Sequence, residues 1–333
     1  MGATRVSVLI TGGQGQLGRE LQRALGAPHE PEGRASARRR GRASLKAGLL
    51  DVEGAEVLAL DLPELDVTDA GAVERAMRQA KPDLVIHAAA LTDTSLCEED
   101  PALAMRVNAQ GALHVAEACR RVDAAMVYVS TNEVFDGARG EPYGESDEPR
   151  PVNAYGRSKL EGERLVQGTL PRHYVVRTSW LYAEGGDNFP AKVLRLAFAL
   201  GESASGGQGR RELSMVTDEV ATPTWARDLA PAIIRLVAHP VYGIYHLTNA
   251  GYCSRYEWAA EVLRLAGPPW ADVTLRPITS AEYGGGPPAG RAGPPKPPFS
   301  ALRNEAAARL GITLRSWEEA LGEYFGGGGR AEV

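Results

Sequence analysis

The first half of the chain alternates short apolar runs with segments in which apolar residues recur every three to four positions. Residues 6–10 form such a run and end in a glycine-rich turn, after which Leu17, Leu21 and Leu25 follow at helical spacing. The same rhythm continues to residue 179. It predicts strands at 6–10, 56–60, 83–89, 125–129 and 173–179, and helices at 70–80, 102–121 and 154–167.

Near-continuous apolar strands separated by helices are typical of a parallel sheet covered by helices on both faces. Because crossover connections are right-handed, the pattern predicts an α/β doubly wound parallel sheet of the Rossmann type. Beyond about residue 183 the rhythm loosens. It predicts a smaller, mostly C-terminal α/β region with helices at 189–200, 225–238 and 254–265 and a strand at 244–247.

Composition shifts mark the boundaries between these parts. The interruptions are a basic insertion at 28–54, a Gly/Ser loop at 201–209, a Gly/Pro-rich loop at 283–298 and a tail at 326–333 that we expect to be disordered. We predict a first domain at 1–182 that takes back residues 216–247. The second domain is then discontinuous within 183–325.

The composition excludes several classes of function. With a net charge of −5, the chain has no overall basic surface for nucleic acid. No apolar stretch approaches the roughly 20 residues of a membrane span, and the N-terminus lacks a secretory signal. We therefore expect a cytoplasmic protein. The three cysteines are widely spaced, which predicts neither a disulfide framework nor a metal site.

The turn after the first strand carries glycines in two overlapping patterns. Gly13-x-Gly15-x-x-Gly18 is the general dinucleotide fingerprint, and Gly12-x-x-Gly15-x-x-Gly18 is the short-chain dehydrogenase form. In both, glycines let the backbone approach a pyrophosphate that sits on the positive end of a helix. The predicted cofactor contacts of this turn are Gly12, Gly15, Gln16, Leu17 and Gly18.

Asp61 ends the second strand, where an acid can accept hydrogen bonds from the adenosine ribose. An acid there favours NADH. The arginines of the insertion at 28–54 leave NADPH open, because one of them could bind a 2′-phosphate.

Two further segments could touch the cofactor. Asp66 could reach the adenine amino group and Val67 the ring, although the same segment could simply cap a helix through Thr68 or Asp69. The small side chains that end the next strand would let a cofactor pass closely, and tight packing would explain them equally well; they are Ala88, Ala89 and Ala90.

The clearest chemical signal is Tyr155-Gly-Arg-Ser-Lys159, which places a phenol and an ammonium on one face of a helix. A nearby ammonium favours the phenolate, so we expect it to lower the pKa of Tyr155 and to suit proton transfer near neutral pH. A hydroxyl at Ser130 or Thr131, at a strand end, could polarise a substrate carbonyl.

These segments together resemble the dTDP-4-dehydrorhamnose reductase family. The match runs in order through Gly-Gly-Gln-Gly-Gln-Leu-Gly at 12–18, Val-Ser-Thr-Asn-Glu-Val-Phe-Asp-Gly at 129–137, Tyr-Gly-Arg-Ser-Lys at 155–159, Arg-Thr-Ser-Trp at 177–180 and Ala-Thr-Pro-Thr at 221–224. The resemblance implies an NADPH- or NADH-dependent reduction of a nucleotide-linked 4-keto-6-deoxy sugar. It implies that Thr131, Tyr155 and Lys159 are catalytic, and that the substrate contacts are Thr92, Glu133, Trp180, Asn188, Thr222 and Lys296.

The chain departs from the family pattern at three places that bear on the substrate. The family has Asp-Tyr where this chain has Asn132-Glu133, Gln where it has Glu219, and Arg where it has Lys296. A lysine keeps a positive charge for a diphosphate but loses the bidentate fork of arginine.

Three alternatives stay open. One is a non-catalytic relative similar to the regulatory subunit of methionine adenosyltransferase, which binds NADP and a partner enzyme. Another is a reductase of a different nucleotide sugar. The third is an epimerase or dehydratase, because Thr131-Asn132-Glu133 half-resembles the Thr-Asp-Glu of dehydratases. The sequence leaves open a monomer or a homodimer.

Overall fold

The computed structural model describes residues 6–26, 54–203, 211–268, 270, 272–283 and 293–327. Nearly all of the basic insertion predicted at 28–54, most of the loop at 201–209 and the tail after residue 327 lie outside these residues. The strands are β1 (Ser7–Thr11), β2 (Glu56–Leu60), β3 (Leu84–His87), β4 (Ala125–Thr131), β5 (His173–Thr178), β6 (Leu181–Tyr182), β7 (Glu212–Val216), β8 (Val220–Ala221), β9 (Thr224–Trp225), β10 (Gly243–His246), β11 (Cys253–Ser254) and β12 (Thr274–Ile278). The helices are α1 (Gln16–Ala24), α2 (Ala70–Ala80), α3 (Thr94–Glu99), α4 (Pro101–Ala104), α5 (Gly111–Val122), α6 (Ala154–Thr169), α7 (Phe189–Ser203), α8 (Ala226–Val237), α9 (Arg255–Ala266), α10 (Ser280–Tyr283), α11 (Glu305–Arg309) and α12 (Trp317–Gly326).

Six parallel strands form the central sheet in the order β10-β5-β4-β3-β1-β2. Alternate residues of β1 point to opposite faces. Val8 and Ile10 pack in one core with α1 and α8, whereas Leu9 packs in another with α2 and α5. Both faces are therefore covered, which confirms the predicted doubly wound α/β fold. Strand β2 follows on one side of β1 and strand β3 on the other, so the strand order reverses between β1 and β3. Ligands of such sheets bind beyond the carboxyl ends of the strands at this point.

A third core lies in the C-terminal part of the chain. It is built largely from aromatic side chains of β6, β9, α9 and α12: Tyr182, Trp225, Trp258, Trp317 and Tyr324. The strands and helices between β6 and α12 do not all belong to this C-terminal core. Strand β10 pairs with β5 of the main sheet and α8 packs on α1, whereas β7 pairs with β12.

Two of the differences from the predicted elements concern helices. The helix predicted at 102–121 is broken by a π-helical turn, Met105–Gln110. Asn108 lies in this turn, and its side chain bonds the backbone of Leu91 and the hydroxyl of Ser158. Gly326, the first residue of the predicted tail, belongs to α12.

Two absences hold for the part of the chain that the structure describes. No helix there is both long and apolar enough to cross a membrane. Nor do the described residues include three or more His, Cys, Asp or Glu side chains grouped as metal ligands.

Candidate active site

The glycine turn after β1 fits tightly against the end of β3. Gly12 has a φ of +75°, and a Cβ on it would lie 2.6 Å from the backbone nitrogen of Ala89. A Cβ on Gly18 would lie 2.2 Å from the carbonyl oxygen of Gly12. Both positions therefore require glycine, because any side chain would meet backbone. The neighbouring Ala88 and Ala90 are half-buried, so three small side chains border the turn.

Helix α1 begins at this turn with its amide groups unblocked. Gly15 is the N-cap, and among the described residues no side chain caps the helix and no acid stands in its first turn. Unpaired N–H groups at a helix start suit a phosphate. Gln16 lies beside Gly186, and its Oε1 is buried without a described hydrogen-bond partner, whereas Leu17 is buried in the core.

Asp61 stands beside the glycine turn, at the end of β2. Its carboxylate accepts hydrogen bonds from the backbone N–H groups of Gln14 and Leu62, each at 2.9 Å. The side chain is thus fixed where β2 ends, next to the start of α1.

The side chain of Asp66 points to solvent, whereas that of Val67 points into the core. The exposed Asp66 accepts hydrogen bonds from the backbone and hydroxyl of Thr68, at 2.8 and 2.7 Å. The N-cap of α2 is Asp69. Val67 is buried against Gly111, which places it in the core between β3 and α5.

Thr131 and Tyr155 meet at the carboxyl edge of the sheet. Thr131 ends β4, and Tyr155 lies in the first turn of α6, which Asn153 caps through the N–H of Gly156. The Thr131 hydroxyl lies near the phenol of Tyr155 and acts to lower its pKa. The structure therefore brings together two of the three residues predicted to be catalytic.

Lys159 lies one turn further along α6 and is almost fully buried. Its Nζ stands 4.1 Å from the ring centroid of Tyr128, whose hydroxyl donates to the backbone oxygen of Asn108 at 3.1 Å. His87, stacked on Tyr128, is joined to Thr11 at 2.6 Å. The lysine thus lies beside Tyr128 of β4 and near His87, the last residue of β3.

The pKa values of these groups differ from the expectation. Burial and the charge of Glu133 raise the pKa of Tyr155, although the Thr131 hydroxyl opposes the shift. Burial lowers the pKa of Lys159 to about 7, although Glu163 opposes it. The predicted lowering of the Tyr155 pKa by Lys159 is therefore wrong for the chain alone. A lysine that is partly neutral at pH 7 gives little help to a phenolate.

A buried ion pair joins helix α6 to strand β5. Glu163 binds Arg177 of β5 through two contacts, at 2.9 and 2.7 Å, and both side chains are about 1% exposed. The hydroxyl of Ser130 donates to the same carboxylate at 2.5 Å. Ser130 is consequently engaged in the core, which leaves Thr131 as the strand-end hydroxyl that faces the site.

A small polar pocket lies next to Thr131 and Tyr155. Asn132, Glu133, Trp180, Glu219, Arg255, Lys296, Pro297 and Ser300 line it. Glu133 is its central acid: it accepts from Asn153 at 2.6 Å and pairs with Lys296 at 3.3 Å. Trp180 has a φ of +40°, a strained value for a bulky residue that occurs chiefly at functional sites.

Three of the predicted substrate contacts lie elsewhere. Thr92 is exposed, and it is Thr94 that accepts a hydrogen bond from Lys296, at 2.8 Å. Asn188 is buried at the start of α7, where it bonds the backbone of Ala183 and Ala191. Thr222 is buried and donates to the carbonyl of Gly251, at 2.8 Å.

Sequence reasoning missed Thr94, Arg255 and Ser300. Thr94 and Arg255 are single polar residues outside any recognised motif, whereas Ser300 belongs to the Lys-Pro-Pro-Phe-Ser-Ala-Leu segment at 296–302 that also contains Lys296. Ser300 reaches the site through Asn132, whose amide donates to its hydroxyl at 2.7 Å. No local pattern signals Thr94 or Arg255, because only tertiary folding brings them to the pocket.

Comparison with known proteins gives a consistent picture. The family model described as the RmlD substrate binding domain matches residues 6–327. The chain is similar to a dTDP-4-dehydrorhamnose reductase of Streptomyces griseus, with 37% identity over 324 residues, 95% of this chain and 92% of that protein. It is similar to a dTDP-4-keto-6-deoxy-D-glucose reductase of Streptomyces niveus, with 33% identity over 320 residues, 95% of this chain and 96% of that protein. Among solved structures it resembles dTDP-4-dehydrorhamnose reductase from Bacillus anthracis str. Ames in complex with NADP, with a TM-score of 0.80, 32% identity and coverage of 97% and 99%.

Proposed function

The chain belongs to the dTDP-4-dehydrorhamnose reductase family, and on that premise we propose that it reduces the C4 ketone of a dTDP-4-keto-6-deoxy sugar with NADPH or NADH. The observation that carries the proposal is that Thr131, at the end of β4, and Tyr155, in the first turn of α6, lie side by side at the carboxyl edge of the sheet, the edge at which the glycine turn follows β1. A proton donor and a second hydroxyl stand together there, as reduction of a carbonyl requires.

The residues of the cleft fit a nicotinamide dinucleotide. The uncapped start of α1 and the close packing at Gly12 and Gly18 suit a pyrophosphate, and Asp61 suits a ribose. The hydroxyls of Thr178, which ends β5, and of the following Ser179 are buried without a described partner, so a ligand could satisfy them. When bound, the dinucleotide supplies a hydride to the sugar C4.

Tyr155 supplies the proton. Its raised pKa keeps the phenol neutral at pH 7, which is the form that a reduction needs: the O–H donates to the ketone oxygen and transfers its proton as the C4–H bond forms. The Thr131 hydroxyl shares the developing negative charge. Lys159 holds the cofactor ribose and can return a proton to the phenolate.

On the substrate side, Glu133, Trp180 and Lys296 line the pocket beside Tyr155. We assign the sugar to Glu133 and Trp180 and the diphosphate to Lys296. The sugar we propose is dTDP-4-dehydrorhamnose, giving dTDP-L-rhamnose. Asn188 and Thr222 shape the second region rather than touch the substrate, since their side chains bond backbone groups.

The boundary that we propose between the two domains follows the cores. Residues 6–182 with α8 and β10 form the dinucleotide domain, and most of 183–325 forms the substrate domain. The substrate pocket lies where Asn132 and Glu133 of the first meet Arg255 and Lys296 of the second.

A coupled assay tests the function. Loss of reduced nicotinamide absorbance is followed with dTDP-4-dehydrorhamnose and with dTDP-4-keto-6-deoxy-D-glucose. Tyr155→Phe should lower the rate by about 10²–10⁴-fold and leave NADPH affinity unchanged. Tyr242→Phe, at the opposite edge of the sheet, is the matched control and should keep full activity.

Three outcomes would overturn the proposal. Full activity of Tyr155→Phe would remove the phenol from the acid role. A dehydrated product without net oxidation of NADPH would indicate a dehydratase. Tight cofactor binding with no turnover of either sugar would favour a regulatory subunit.

A further inference from the structure

Arg255 is a cation inside the substrate pocket that no motif assigns. It is the first residue of α9, and its guanidinium carbon lies 3.6 Å from the ring centroid of Trp180 and 4.9 Å from that of Phe189. The planar group thus covers one face of the indole that lines the pocket. A guanidinium over an aromatic ring is held in orientation while its outer nitrogens stay available.

The charge of Arg255 is only loosely compensated. Its ion-pair partner is Glu219, with 3.7 Å between Nε and Oε2, and in the described part of the chain no carboxylate oxygen lies closer to the guanidinium. A guanidinium carries several hydrogen-bond donors, and a partly buried one normally satisfies them with tight bidentate contacts. The Glu163–Arg177 pair in the same protein shows such contacts, at 2.7 and 2.9 Å.

Lys296 is a second cation in the same pocket, and an anionic ligand could replace its carboxylate partner as well. Lys296 contacts Glu133 at 3.3 Å, and Glu133 also acts electrostatically on Arg255. Two cations and two carboxylates therefore line the pocket, which has no net charge without a ligand. A diphosphate carries enough negative charge to engage both cations, and charge-assisted contacts to arginine are strong and directional.

We propose that Arg255 binds the diphosphate of the nucleotide sugar together with Lys296, and that Glu219 holds the guanidinium in place until the substrate replaces it. The inference rests on the proposed function, because it names a residue for the same substrate. Since Arg255 also stacks on Trp180, binding of the diphosphate is coupled to the position of the indole beside the sugar. This makes Arg255 a specificity-determining residue.

Binding measurements on the NADPH-loaded full chain test the proposal with two probes, dTDP and thymidine. In Arg255→Gln the affinity for dTDP should fall by about ten- to a hundredfold, whereas the affinity for thymidine should stay the same. Arg255→Lys should give an intermediate loss, because it keeps the charge and loses the fork. Glu219→Gln should bind dTDP more tightly than the wild type, since the competing carboxylate is gone.

Arg264→Gln is the matched control. Arg264 lies on the same helix but is exposed and paired with Glu261, so its loss should leave both affinities unchanged. NADPH affinity, measured for every variant, reports intact folding.

The outcomes separate this proposal from the proposed function. If the wild type reduces the sugar and Arg255→Gln binds dTDP normally, or loses thymidine and dTDP affinity equally, the assignment of Arg255 is wrong and the reductase stands. If Glu219→Gln weakens dTDP binding as Arg255→Gln does, the pair is structural and the assignment is again wrong. If the wild type does not bind dTDP, both proposals fail.

Discussion

Replacing Glu163 by glutamine should lower the free energy of unfolding by about 3–5 kcal/mol, because a buried cation would be left without its countercharge. Arg177 is about 1% exposed and relies on Glu163 for its two tight contacts. The exchange preserves side-chain volume, so the loss reports charge rather than a cavity. Ser130, which donates to the same carboxylate at 2.5 Å, would also lose a charged acceptor.

In a chain of this length, about 1 kcal/mol corresponds to about 2 °C in Tm, so the expected decrease is about 6–10 °C. Differential scanning calorimetry measures it, and urea titration gives the free energy. Glu161→Gln is the control: it lies on the same helix, its pair with Arg164 is exposed, and its cost should stay below about 1 kcal/mol.

A double variant separates charge from packing. Glu163→Met combined with Arg177→Met removes both charges, and replacing a buried ion pair by apolar residues is often nearly neutral. The double variant should therefore be more stable than Glu163→Gln alone. A Tm of Glu163→Gln equal to that of the Glu161→Gln control, or a double variant less stable than the single one, would refute the reasoning.

Glu163→Gln should also change NADPH binding, because Glu163 acts on the pKa of Lys159. Glu163 raises the pKa of that lysine against the effect of burial, which leaves it at about 7. Without the carboxylate, the pKa of Lys159 should fall below about 7. In the role that we propose for Lys159, the ammonium is the better donor to the cofactor ribose, so the fall of NADPH affinity with rising pH should begin at lower pH in Glu163→Gln. An unchanged pH dependence would show that Glu163 acts only on stability.

The remaining predictions concern Lys159 and two glycines. The pKa of Lys159 is about 7 in the folded chain and 10.5 in the unfolded chain, so between these pH values the unfolded chain binds the extra proton. The free energy of unfolding of the wild type should therefore rise with pH relative to that of Lys159→Met, which urea titrations near pH of about 7 and near 10.5 would measure. Gly18→Ala should abolish NADPH binding measured by fluorescence, since its Cβ would lie 2.2 Å from the oxygen of Gly12, and binding at wild-type affinity would contradict the assignment of the turn. Gly168→Ala, in α6 with open space around it, should instead raise stability by about 0.5–1 kcal/mol.

The sequence predicted those parts of the fold and site that depend on residues close together in the chain. The strands of the central sheet are buried on both faces, so each reads as an apolar run, and the glycines that touch backbone fall in one short turn. Thr131 and Tyr155 stand at a strand end and a helix start. Two such positions on neighbouring elements of a parallel sheet meet at the same edge.

The parts that the sequence did not predict depend on contacts between distant segments. Burial decides the pKa of Lys159, and a Tyr-x-x-x-Lys spacing carries no information about burial. Asn188 and Thr222 look like pocket residues in the chain but are bound to backbone groups in the fold. Arg255 reaches Trp180 only because α9 packs against the segment after β5.

The ion pairs near this cleft differ in exposure, and the exposure decides whether a bound anion can replace the carboxylate. Glu163 and Arg177 are each about 1% exposed and in tight contact, so no incoming anion can replace the glutamate without breaking the core. The pairs Glu133–Lys296 and Glu219–Arg255 are 14–28% exposed, and their closest contacts are 3.3 and 3.7 Å. Looser, partly solvated pairs lose less when a partner is exchanged. The tight pair therefore fixes helix α6, which carries Tyr155 and Lys159, to β5, whereas the two looser pairs leave Lys296 and Arg255 able to bind an anion in the pocket, as we propose.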